Sequence, residues 1–269
     1  MDDFHDLGLL ADLAMWTRKP VERRRVLQLG VIGIGTLLAS CASSQITDGV
    51  SACLTEIPEE TAGPYPADGS SGMGGGSTVN VLERSGIVRS DITTSLETGT
   101  VAEGIPATIE LTLFDLSNDC APLVGYAVYL WHCNREGAYS MYGTGIEDED
   151  YLRGVQETDS EGKVAFTSIF PACYSGRWPH IHFEVYPSLA VATSADNKIH
   201  TSQLALPEDV CNTVFETADG YSQSLNNLAQ TSLDTDNVFS DDDAILQLAT
   251  VTGSVVDGYA IGLSFGIAS

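Results

Sequence analysis

The sequence predicts an all-β chain, a single-domain β-sandwich with long loops between its strands. Three observations carry that prediction. Short apolar runs alternate with polar residues at period two, as half-buried strands do. Turn-forming clusters separate these runs, and helical periodicity is weak. No internal repeat and no second hydrophobic stretch after a linker asks for another domain. With 269 residues and 43% hydrophobic content, the chain can bury one substantial core.

Taken in order, residues 23–41 read RRRVLQLGVIGIGTLLASC. An arginine cluster leads into an apolar run too short for a comfortable membrane span, then into small residues and a cysteine. This is the pattern of an export signal. Arg23-Arg24-x-Val26-Leu27 resembles the twin-arginine type, and Leu38-Ala39-Ser40-Cys41 resembles a bacterial lipobox. The expectation is a leader over 1–41, export to the periplasm or cell surface, and a lipid on Cys41 as the sole membrane attachment. A plain cleaved signal is the alternative, and a start at Met15 would shorten the leader.

Residues 42–78 read as a tether that ends in a Gly/Ser-rich loop, and 79–269 as the sandwich. Within it, residues 107–115 alternate with Ile109, Leu111 and Leu113 on one side. The run 125–131, GYAVYLW, is apolar throughout and suits a strand covered on both faces. Lys163 to Ile169 forms a strand entered through the turn 159–162. Tyr259, Ile261, Leu263, Phe265 and Ile267 give a five-step alternation at the C-terminus. The best local helix is 241–248.

Charge excludes one class of partner. With 12 Lys+Arg against 37 Asp+Glu, the formal net charge is −25, whereas nucleic-acid binding needs clustered cations. Removing residues 1–40 takes five cations and five anions, so cations become scarcer in what remains. The five cysteines after Cys41 allow one or two disulfides and leave at least one thiol, with connectivity open.

The chemistry concentrates in residues 170–186, FPACYSGRWPHIHFEVY. On a strand, His180, His182 and Glu184 share one face, and Ile181, Phe183 and Val185 the other. Two imidazoles two residues apart can grip one metal ion. They can equally lie on a strand face without a ligand. Tyr174 and Arg177 stand just upstream.

Motif order then identifies a resemblance. GPY (63–65), RSDI (89–92), C-x-P-L (120–123), WHCN-x-x-G-x-YS (131–140), LRG-x-Q-x-T-D-x-x-G (152–162) and Y-x-G-R-x-x-H-I-H (174–182) closely resemble the intradiol ring-cleavage dioxygenases, particularly exported lipoprotein-like members. The resemblance runs from about Cys53 to the C-terminus. It implies a non-haem Fe(III) held by Tyr139, Tyr174, His180 and His182. It also implies Arg177 as the residue that stabilises developing charge on the ring, and Gln203 behind it. Tyr174 is then also catalytic, as the ligand displaced when a catechol-type substrate binds. O₂ is the second substrate and a cis,cis-muconate-type diacid the product. A hard trivalent ion favours anionic oxygen donors, and two tyrosinates stabilise Fe(III) over Fe(II).

Neighbouring residues carry plainer readings. Tyr126, Tyr142 and Tyr151 are expected to pack, with Tyr142 the alternative to Tyr139 as ligand. His132 and Trp131 are expected in the core, His200 exposed or behind the site, and Cys173 as a buried thiol or half-disulfide. Tyr65 either borders the substrate mouth or packs a turn, and 147–150 is a solvated acidic loop. Two other functions stay open: a lipid-anchored binding module without turnover, and a Zn or Cu protein using His180, His182 and Glu184. An oligomer is compatible with the sequence.

Overall fold

The computed structural model describes residues 53–70 and 78–268. The expected leader, Cys41 and most of the Gly/Ser-rich loop lie outside the described residues. Two sheets face one another. The first has the order β2-β1-β9-β8 with β5 also on β1, and the second β4-β3-β6-β7. The strands are β1 (Pro106–Asp115), β2 (Ala121–Pro122), β3 (Ala127–Trp131), β4 (Arg153–Glu157), β5 (Lys163–Ile169), β6 (His180–Tyr186), β7 (His200–Ala205), β8 (Thr250–Ser254) and β9 (Gly258–Ile267). Every pairing is antiparallel except β1 with β9, which is parallel. This is the expected all-β sandwich.

Period-two alternation builds the core between the sheets. Ile109, Leu111 and Leu113 on β1 and Tyr259, Ile261, Leu263, Phe265 and Ile267 on β9 are buried. Ile181, Phe183 and Val185 of β6 close the core from the other sheet, with Phe183 4.8 Å from the Phe265 ring. Burying each large side chain contributes about 2–3 kcal/mol. Strand β3 is buried at all five positions. Val128 and Leu130 enter the core between the sheets, while Ala127, Tyr129 and Trp131 belong to a second cluster on the other face.

That second cluster is where the structure departs from the expected tether. Residues 53–70 are packed on the body: Ile57 joins the main core, and Asp68 is fully buried. Cys53 is bonded to Cys120, while Cys133, Cys173 and Cys211 are buried free thiols. Turn-rich composition had concealed a segment held by side chains from the distant strands β3 and β4.

Helices differ too. The stretch 241–248 is not a helix. A 3₁₀ turn at Phe239–Asp241 gives way to residues Asp243 and Ala244 at φ +57° and +55°, which break helical geometry. Among the described residues the α-helices are α1 (Glu208–Thr217) and α2 (Ser222–Leu228). α1 buries Cys211, Val214 and Phe215, a stripe at i, i+3 and i+4. Glycine matters at 154 in the LRG motif. A Cβ there would lie 2.5 Å from Ile92 Cγ2, so the glycine lets residues 89–92 run against β4.

Candidate active site

The site lies on the outer face of the second sheet, beneath the segments 61–70 and 133–142. Strand β6 aims His180 and His182 outward from this face, the register its apolar partners require. Their Nε2 atoms stand 3.1 Å apart. Tyr139 Oη is 3.2 Å from His182 Nε2 and 3.4 Å from His180 Nε2. Tyr174 Oη is 3.2 Å from His180 Nε2. All four expected ligands therefore converge.

These distances fit one cation. Donors held about 2.1 Å from an ion lie about 3.0–3.4 Å apart for angles between 90° and tetrahedral. His180 Nδ1 lies 2.5 Å from the Trp178 carbonyl oxygen, to which it donates. That assignment leaves the Nε2 lone pair facing the other three donors. Burial holds both imidazoles well below their ordinary pKa, so both are neutral, as donors to a metal would have to be. Burial, then the neighbouring Tyr174, pushes the Tyr139 phenol well above its own; a bound cation reverses that preference. Among the described residues no group of three His, Cys, Asp or Glu side chains could hold a metal, so a metal here would need the tyrosine oxygens as well as the two imidazoles. Glu184, on the same face, is taken up by Lys198 Nζ and Tyr186 Oη, each 2.6 Å away.

Arg177 closes one side. It is 1% exposed, with Nε donating to Asp236 Oδ2 at 2.9 Å and Nη2 to Gln203 Oε1 at 2.6 Å. Nη1 lies 3.5 Å from His180 Nε2. Gln203 sits opposite His182 in the β6–β7 register, and its Nε2 donates to the Thr61 carbonyl. Asp236 also accepts from the backbone N–H groups of Trp178, Val238 and Phe239. Its place 59 residues from Arg177 gave no sequence signal.

A second buried arginine was also missed. Arg153 uses all five N–H donors on Ser140 Oγ, the carbonyls of Tyr65, Pro66 and Ser140, and Tyr129 Oη. It thereby ties the loop of Tyr139 to the segment over the site. The LRG motif marked the residue without disclosing this task.

The plainer readings divide. Tyr142 accepts from the Ala67 N–H at 3.0 Å and makes no contact of its own with the histidines. Tyr126 and Tyr151 pack, and His132 bonds Ser168 Oγ and the Cys133 carbonyl. Trp131 lies in the second core cluster as expected, and its ring also stacks on His182 at 4.8 Å and 7°, forming a wall of the site. His200 is buried at the start of β7, opposite Val185. Cys173 is a free thiol. Tyr65 lies 5.2 Å from the Tyr139 ring. Asp150, expected in a solvated run, is buried and paired with Arg84 and Arg89.

The edge beyond Gln203 is acidic. Glu60 bonds its N–H to the Thr201 carbonyl and accepts from Gln247 Nε2 at 3.3 Å. Burial, then Asp241, pushes the Glu60 carboxyl up to about 8.

Known proteins resemble this chain in sequence over part of its length and in fold. The family model described as Dioxygenase matches residues 90–209. A catechol 1,2-dioxygenase of Acinetobacter lwoffii is 37% identical over 57 residues, which spans 21% of this chain and 18% of that protein. An intradiol ring-cleavage dioxygenase structure from Tetranychus urticae superposes with a TM-score of 0.60 at 24% identity, covering 80% of this chain and 95% of that one. A second dioxygenase structure gives 0.61 at 23% identity over the same shares. Residues 90–209 thus match a dioxygenase family model, and the described residues share the fold of an intradiol ring-cleavage dioxygenase structure.

Proposed function

We propose that the chain is an Fe(III)-dependent intradiol dioxygenase that uses O₂ to cleave a catechol-type ring between its hydroxyl carbons, giving a cis,cis-muconate-type diacid. The observation that carries this reading is the convergence of two phenol oxygens and two imidazole nitrogens at 3.1–3.4 Å. Tyr139, Tyr174, His180 and His182 would hold the ion. When bound, ferric iron supplies Lewis acidity that draws electron density from a chelated catechol and opens its ring to O₂.

The protein's own groups do the rest. His180 and His182, fixed by β6, are stationary donors. Tyr174 lies on the loop before β6 and is less deeply buried than Tyr139. It would be the more mobile of the four donors, its Oη able to take a proton from a substrate hydroxyl. Arg177 Nη1 stabilises charge that develops on the ring, and Gln203 with Asp236 fixes its direction. Trp131, Tyr65 and Phe239 offer apolar walls.

The test combines colour with turnover. Tyrosinate on Fe(III) gives a red-brown charge-transfer band, which Tyr139→Phe and His180→Ala should abolish together with iron. Oxygen uptake on a panel of catechols, with mass detection of a ring-opened diacid, completes it. A colourless protein that loads zinc in preference would sink the proposal.

We also propose export and a lipid on Cys41, from the signal pattern of residues 23–41. The disulfide Cys53–Cys120 accords with an oxidising compartment. Mass spectrometry of the mature N-terminus should find an acylated Cys41; an unmodified N-terminus upstream of it would contradict this.

A further inference from the structure

We infer that the site takes catechols whose ring carries no anionic substituent and discriminates against carboxylated ones. This rests on the ring-cleavage reading above and adds the substrate class.

The argument is an accounting of positive charge. From residue 53 onward the sequence contains seven Lys and Arg, all of them among the described residues. Four pair with carboxylates of their own: Arg84 and Arg89 with Asp150, Arg135 with Glu103 and Glu136, Lys163 with Glu161. Three remain around the site. Arg177 is paired at Nε with the fully buried Asp236, and its Nη1 is turned to His180, where the diol and not a ring substituent would lie. Arg153 has no donor left, since all five of its N–H groups serve protein acceptors, and its face lies 5.6 Å from the Tyr142 ring. Lys198 bonds Glu184, with the buried Asp68 3.7 Å away.

A substituent carboxylate entering beside the ring would therefore meet no uncommitted cation. Stripped of water without a charged partner, it would be strongly disfavoured. The surroundings add repulsion. Phe239 lies 6.5 Å from the His180 ring, and the chain runs from it directly into Asp241 and Asp242. These flank Glu60, which itself lies beside the Thr61 carbonyl that holds Gln203. Aromatic walls with an acidic edge suit a neutral ring. The two diol oxygens are exempt, because their charge is met by the ion.

The test compares a matched pair on the iron-loaded full chain: protocatechuate, a catechol with a carboxylate, and its methyl ester, which is bulkier but neutral. Binding is measured anaerobically by calorimetry, and oxygen uptake separately. The ester should bind at least about 30-fold more tightly, a margin that repulsion at low effective dielectric readily supplies. Raising salt should narrow the margin, as should Asp241→Asn, because charge and not shape sets it. Equal or tighter binding of the acid would overturn the inference, as would failure of both compounds to bind. Preference for the ester without oxygen uptake would uphold it and instead remove the ring-cleavage reading.

Discussion

Two buried arginines flank the site and are stabilised in opposite ways. Arg153 carries no carboxylate partner and spends every donor on neutral oxygens of three separate segments. Arg177 is anchored at Nε by the carboxylate of Asp236, which leaves Nη1 turned toward His180. The first is a strut whose value lies in how many strands and loops it joins. The second is held from behind, so that one end of it serves the chemistry. A guanidinium's rigid fork permits both uses, and the number of donors left facing the site distinguishes them.

That distinction can be broken by experiment. Replacing Arg153 with Met should have the largest effect. It removes the guanidinium's donors to the Tyr65, Pro66 and Ser140 carbonyls, at a cost of about 4 kcal/mol. Chemical denaturation should register the loss, and a variant as stable as the parent would refute the strut. Arg177→Ala should act differently. Asp236 keeps three backbone N–H donors, so the fold and the tyrosinate band should survive while turnover falls about 100-fold. Loss of iron in that variant, or undiminished oxygen uptake, would erase the contrast.

The smallest effect sharpens the electrostatic side. Burial raises Glu60 from 4.5 to about 8, so the folded state binds this proton more tightly than the unfolded chain. Its contribution to stability is full below pH 4.5 and declines as pH rises toward 8. Glu60→Gln removes that decline. Melting temperatures of variant and parent should therefore diverge in the variant's favour from pH 5 to pH 8; parallel profiles would show that Glu60 ionises freely.

Much of this site was legible in the chain because its parts are local. The pair His180 and His182 with Tyr174 and Arg177 falls within nine residues, and strand alternation places both histidines on one face. Tyr139 required motif order, and its distinction from Tyr142 came from geometry: Tyr142 Oη is occupied by the Ala67 N–H. Trp131 is core as expected, but its stacking on His182 was not legible, because an apolar strand looks the same whether a ring meets only apolar neighbours or also a histidine. The helix expected at 241–248 failed on two left-handed residues that composition does not announce. The segment 53–70 looked like a tether because turn residues say nothing about side chains from distant strands that hold them.

Sequence alone determined the sandwich, the outward direction of the histidines and the scarcity of cations, since period, turn chemistry and composition are properties of the local chain. Tertiary structure alone decided how the scarce cations are used. Asp236 meets Arg177 across 59 residues, and Arg153 reaches Tyr65 across 88. Such pairs depend on how loops close over a finished sheet, and neither partner's local pattern specifies the other.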